Sequence, residues 1–135
     1  MANRPKVHME NLMFVGERRS QSAIRMGVHW EDGRLAAKQL FDALLALGID
    51  PQRCEFVNWW EPGGRRRVHE HYQGGGTLVG LGRKVQRELT DFGLRHLPLT
   101  HPAARGAIRR KDRYSQHVAN VLSVMINRTQ RGRRR

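Results

Sequence analysis

Leu12-Met13-Phe14-Val15-Gly16 is an unbroken apolar run stopped by a glycine. A strand with one face in water alternates apolar and polar residues, whereas a strand covered on both faces does not. Three stretches of the same kind follow: Cys54 to Trp60, Thr77 to Leu81, and Leu97 to Thr100. Between them lie segments of helical period. From about Arg34 to Leu47, Ala36, Leu40, Ala43, Leu44 and Leu47 recur at spacings of three and four, with Asp32 as N-cap, Gly48 as left-handed stop and Pro51 barring continuation. A second helix follows Gly82, with Val85, Leu89 and Phe92 on one face and Gly93 closing it. A last helix starts near Asp112 and turns Tyr114, Val118, Val121, Leu122 and Met125 inward. Doubly covered strands separated by helices predict an α/β fold: a compact three-layer α/β/α sandwich around a short, mostly parallel four-stranded sheet.

The remaining segments read as connections. Residues 1–10 are polar and flexible. Glu17 to Trp30 carries no sustained period and reads as a long loop. Arg65-Arg66-Arg67 through Gly74-Gly75-Gly76 reads as a flexible basic connection. The α/β domain is therefore expected over 11–127. The segment 128–135, with five arginines and no core residue, is expected to be a basic tail that orders only when bound.

Composition sets further bounds. The 135 residues fit one domain, and 39% apolar content is enough for a core. The single cysteine, Cys54, excludes an internal disulfide framework and any all-cysteine zinc or iron–sulfur site. Histidines show no metal-ligand spacing beyond His69 and His71, a weak zinc signal, so no metal and no cofactor are expected. No apolar run is long enough for a transmembrane helix, and the first residues lack the apolar segment of a secretory signal. A cytoplasmic monomer without a membrane partner is the expectation. The charge is more informative: 25 Lys and Arg against 12 Asp and Glu leave +13. A field of that sign attracts polyanions, of which nucleic acid is the commonest and the expected partner; acidic membrane lipid is the rival, but no basic amphipathic helix with a large apolar face stands out.

In open α/β sheets the ligand lies beyond the carboxyl ends of the strands. The segments leaving those ends are Gly16-Glu17-Arg18-Arg19-Ser20, Asn58-Trp59-Trp60-Glu61, Gly80-Leu81-Gly82-Arg83 and His101-Pro102-Ala103-Ala104. Gly16-Glu17 is either a strand-ending turn or a tight loop that brings backbone N–H groups and a carboxylate to a ligand. Asn58, in an apolar strand, is either a satisfied sheet-end amide or a donor–acceptor pair matched to a base edge. His101, fixed by Pro102, is either a structural loop residue or a donor to negative charge on a leaving group. Trp30 is either a packing lid or a platform for stacking a base. Arg18, Arg19, Arg65, Arg83, Arg105, Arg109, Arg110 and Lys111 are the candidate phosphate contacts.

These segments, read together, resemble the uracil-DNA glycosylase superfamily, closest to its thermostable iron–sulfur branch. Phe14-Val15-Gly16-Glu17-Arg18-Arg19-Ser20 is similar to that branch's Phe-Val-Gly-Glu-x-Pro-Gly motif. Gly27-Val28-His29-Trp30 resembles its glycine-then-Phe segment, with Trp in place of the uracil-stacking Phe. Leu44 to Asp50 resembles its helix and Gly-Leu/Ile-Asp turn, and Phe56-Val57-Asn58-Trp59-Trp60 matches its second-strand motif at the Asn. Val79-Gly80-Leu81-Gly82-Arg83-Lys84-Val85 resembles its strand-to-helix step, and His101-Pro102-Ala103-Ala104 equals its last motif. The resemblance spans about Leu12 to Val124. It implies DNA, single- or double-stranded, as the partner and excision of a base flipped from it, with Gly16, Trp30 and Asn58 holding the base, and Glu17 and His101 catalytic. Two departures stand out. The cluster cysteines are missing, so no cluster is expected. Arg18 occupies the place where other branches carry an Asp or Asn catalyst, leaving Glu17 as the nearby carboxylate.

Overall fold

The computed structural model describes residues 11–32, 36–102 and 111–133. Four parallel strands, β1 (Leu12–Gly16), β2 (Glu55–Asn58), β3 (Thr77–Leu81) and β4 (Leu97–Leu99), form one sheet in the order β2-β1-β3-β4. Among the described residues five α-helices connect and cover them: α1 (Gln21–Met26), α2 (Ala36–Ala46), α3 (Gly64–Gln73), α4 (Arg83–Asp91) and α5 (Lys111–Arg133). All five β1 residues are buried, as its unbroken apolar run requires.

Strand parity sorts the core into two layers. Leu12, Phe14, Phe56, Val79, Leu81 and Leu99 face α2 and α5, meeting Leu40, Leu44, Tyr114, Val118 and Leu122. Met13, Val15, Val57 and Leu78 face α3 and α4, meeting Val68, Val85 and Leu89. The sheet is thus sandwiched between helices, as the sequence predicts. The layering follows from handedness: a right-handed crossover from β1 to β2 and those from β2 to β3 and β3 to β4 run in opposite directions along the sheet. They must therefore use opposite faces.

Several expectations are corrected. The segment read as a loop from Glu17 to Trp30 contains α1, whose N-cap Ser20 accepts a bond from the Ala23 N–H at 3.1 Å and whose C-cap Gly27 is left-handed. The stretch read as a flexible basic connection is α3, a ten-residue helix. Strand β2 ends at Asn58 rather than Trp60. Trp59 and Trp60 sit in the turn beyond it, and both pack toward the α3–α4 layer. Phe92, assigned to the buried face of α4, is 48% exposed. The Asp32 carboxylate accepts from the His29 N–H behind it at 2.7 Å, and the forward cap expected of it falls on residues 33–35, outside the described residues. Helix α5 includes residues 128–133, which the sequence reading places in the basic tail. Among the described residues no helix is long and apolar enough to cross a membrane.

Candidate functional site

The chain leaves β1 toward one edge of the sheet and β3 toward the other, so their carboxyl ends mark the point at which open α/β sheets take a ligand. Gly16 closes β1 and pairs in register with Asn58 at the end of β2. The two positions project to the same side, and only a glycine fits. A Cβ on Gly16 would lie 2.8 Å from Asn58 Oδ1 and 3.1 Å from Trp30 Cζ2.

Asn58 is 8% exposed, and both ends of its amide are engaged. The Trp30 Nε1–H donates to its Oδ1 at 2.8 Å, and its Nδ2 donates to Glu61 Oε2 at 2.9 Å. That Glu61 oxygen also accepts the Arg19 backbone N–H at 2.6 Å, while Arg19 Nε stands 3.8 Å from Oε1. Trp30 extends an aromatic stack, lying 6.1 Å from Phe56 at 18°, with Phe56 5.3 Å from Phe14 at 14°. The site thus joins residues from two strand ends to one indole.

His101 reaches the same place from β4. Its ring centroid is 6.2 Å from that of Trp30, and its Cβ lies 3.6 Å from where a Cβ on Gly82 would stand. Gly82, at the end of β3, has φ +91°, a backbone that side chains rarely tolerate. Helix α5 fixes the loop by gripping Thr100 from both sides. The Thr100 N–H donates to His117 Nε2 at 3.0 Å, and the Tyr114 hydroxyl donates to the Thr100 carbonyl at 2.9 Å. Burial pushes the His101 pKa below the ordinary histidine value, and the Glu17 carboxylate opposes that shift. The net shift favours the neutral imidazole, with Glu17 near enough to act on it.

Gly16, Glu17, Trp30, Asn58 and His101 are brought together at the carboxyl edge. The described basic candidates are spread more widely. Arg19 folds back over Glu61, and Arg65 stacks on the α3–α4 layer, 5.4 Å from the Trp59 ring centroid. Arg18 and Arg83 are exposed, Lys111 opens α5, and Arg105, Arg109 and Arg110 lie outside the described residues. Of the other histidines, His71 bonds to the Asn11 carbonyl and Glu55, while His69 packs on Phe92. Among the described residues no three His, Cys, Asp or Glu side chains gather around a common point. The Cys54 thiol is pushed up to about 11, first by burial and then by Asp50, which leaves it a poor nucleophile.

Glu61 was not legible as a site residue, although it follows Asn58 by three positions ahead of the Pro62-Gly63 turn. It lines an open cleft of about 130 Å3 together with His29, Trp30, Asn58, Gly64 and Arg67. Neither Glu17 nor His101 lines that cleft, and Trp30 is the side chain that both borders it and approaches His101. No protein family, curated protein or solved structure matches this chain.

Proposed function

We propose that the protein is a DNA base-excision hydrolase of the uracil-DNA glycosylase type, cleaving the N-glycosidic bond of uracil or a related base flipped from the helix. The observation that supports this reading is Trp30 standing between Asn58, which it hydrogen-bonds, and His101, on which Glu17 acts, in a chain of charge +13. In the proposed reaction Glu17 orients a water and takes its proton as the oxygen bonds to the sugar C1′. The C1′–N bond breaks and its electron pair leaves with the base. In its neutral form His101 meets the developing base anion as a hydrogen-bond donor rather than a counter-charge. Trp30 supports the base plane and Asn58 reads its edge.

A second reading, a base-binding protein without catalysis, draws on a specific observation. The Asn58 amide is already bonded to Trp30 and Glu61, and the Trp30 ring already lies on Phe56. A base would have to displace the Trp30–Asn58 bond or use the amide's remaining hydrogen and lone pair. One experiment separates the two: end-labelled single- and double-stranded oligonucleotides with one uracil, incubated with the protein and then treated with alkali. A strand break at the uracil, absent with His101→Ala, supports excision. Salt-sensitive binding without a break selects the silent reader, and modified bases then form the next panel.

A further inference from the structure

A lone exposed phenyl ring is ordinary. Phe92 is different because of what surrounds it. It caps the last turn of α4, 48% exposed, with its edge against the buried Trp59 at 5.3 Å and against His69 at 5.9 Å. The Arg65 guanidinium lies over both rings, 5.4 Å from the Trp59 centroid and 5.8 Å from that of Phe92. Arg65, His69 and Tyr72 follow one another at spacings of four and three, so they share one face of α3. Beyond Phe92, Arg95 donates to the Tyr72 hydroxyl at 3.5 Å. Along the seam between α3 and α4 the order is cation, aromatic, aromatic, cation. Glu88, the acidic group beneath it, accepts the Trp59 Nε1–H at 3.1 Å.

We infer that this seam is a second binding surface, for a single-stranded stretch of nucleic acid, with a base stacked on the exposed part of Phe92 and phosphates on Arg65 and Arg95. Alternating ring and guanidinium is the chemistry that holds single strands, because every base has a π-face and every nucleotide a charge. In a duplex the faces of the bases are already stacked on one another, so Phe92 has nothing to take. Trp59 and Glu88 hold the ring cluster in place before the strand arrives. The surface lies on the α3–α4 layer, opposite the layer of α2 and α5. It rests on the nucleic-acid reading of the charge but not on excision at Glu17 and His101.

The test is fluorescence anisotropy with a labelled oligothymidylate and a duplex of equal length, for the full chain and for Phe92→Leu, Phe92→Trp and Arg65→Lys. Phe92→Leu keeps apolar bulk and removes the ring, and thermal melting checks that it folds. The expected result is a loss of about tenfold in single-strand affinity for Phe92→Leu, a change under about twofold for duplex, and retention in Phe92→Trp. Arg65→Lys, which keeps charge but loses the stacked plane, should weaken single-strand binding by several fold at unchanged salt dependence. Single-strand affinity unchanged in Phe92→Leu, or an equal loss for duplex, overturns the inference and leaves excision untouched. A wild-type chain that binds neither oligonucleotide overturns both readings.

Discussion

At the scale of single residues, Gly16 and His101 carry the sharpest predictions. Gly16→Ala places a methyl group 2.8 Å from Asn58 Oδ1 and 3.1 Å from the Trp30 ring, so the Trp30–Asn58 bond must give way. The expected cost is about 1–3 kcal/mol in urea unfolding. His101→Ala removes the donor aimed at the leaving base. On the excision reading it slows single-turnover base release by about 100- to 1000-fold while DNA affinity stays within about twofold. Gly16, Asn58 and His101 were legible because each stands at a strand end, and Trp30 because it is an indole in the segment ahead of α2. Glu61 was not, because a carboxylate beside a Pro-Gly turn looks like any solvated loop residue until its bonds to Asn58 and Arg19 are seen. Arg19 misled in the opposite sense. Its charge suggested phosphate, yet its side chain is turned inward over Glu61.

At the scale of elements, the strands and long helices were readable while α1 and α3 were not. Helix α3 offers Val68 as its buried apolar side chain among Arg65, Arg66, Arg67, His69, Glu70 and His71, so its period is drowned by charge. It is held by contacts that sequence does not display. Gly64 packs so closely on the Asn58 carbonyl oxygen that no side chain fits, and Arg67 and His71 reach Glu55 on β2 at 3.7 and 3.1 Å. Gly64→Ala should therefore destabilise the fold more than Gly48→Ala, whose added methyl meets nothing within 4 Å but bears the strain of a positive φ. Comparing the two urea midpoints checks this. Helix α5 makes a pH prediction. Burial lowers the pKa of both His117 and His101, so the folded chain binds fewer protons than the unfolded one near pH 6. Stability is then full above about 6.5, the unfolded histidine value, and falls as pH drops through it toward the depressed folded values. Unfolding midpoints measured from pH 8 down to 5 should decline, and less steeply in His117→Gln, which also leaves the Thr100 N–H to a poorer partner.

At the scale of the whole molecule, the +13 charge is the dominant long-range feature, and it acts before any pocket does. If six phosphates are neutralised on binding duplex, affinity falls about a thousandfold between roughly 50 and 200 mM salt. A titration across that range checks it, and a flat response would remove nucleic acid as the partner. Both sheet faces are covered by helices, so the carboxyl edge and the helical surfaces are what the molecule presents to such a partner. The grip of α5 on Thr100 has a consequence in the order of synthesis. Tyr114 and His117 follow Thr100 in the chain, so the ribosome delivers the His101 loop before the residues that hold it. At about 5–20 residues per second, reaching His117 takes roughly one to three seconds more. During that interval the loop carrying His101 has been made and its anchor has not, so the anchored loop is among the last features the chain acquires.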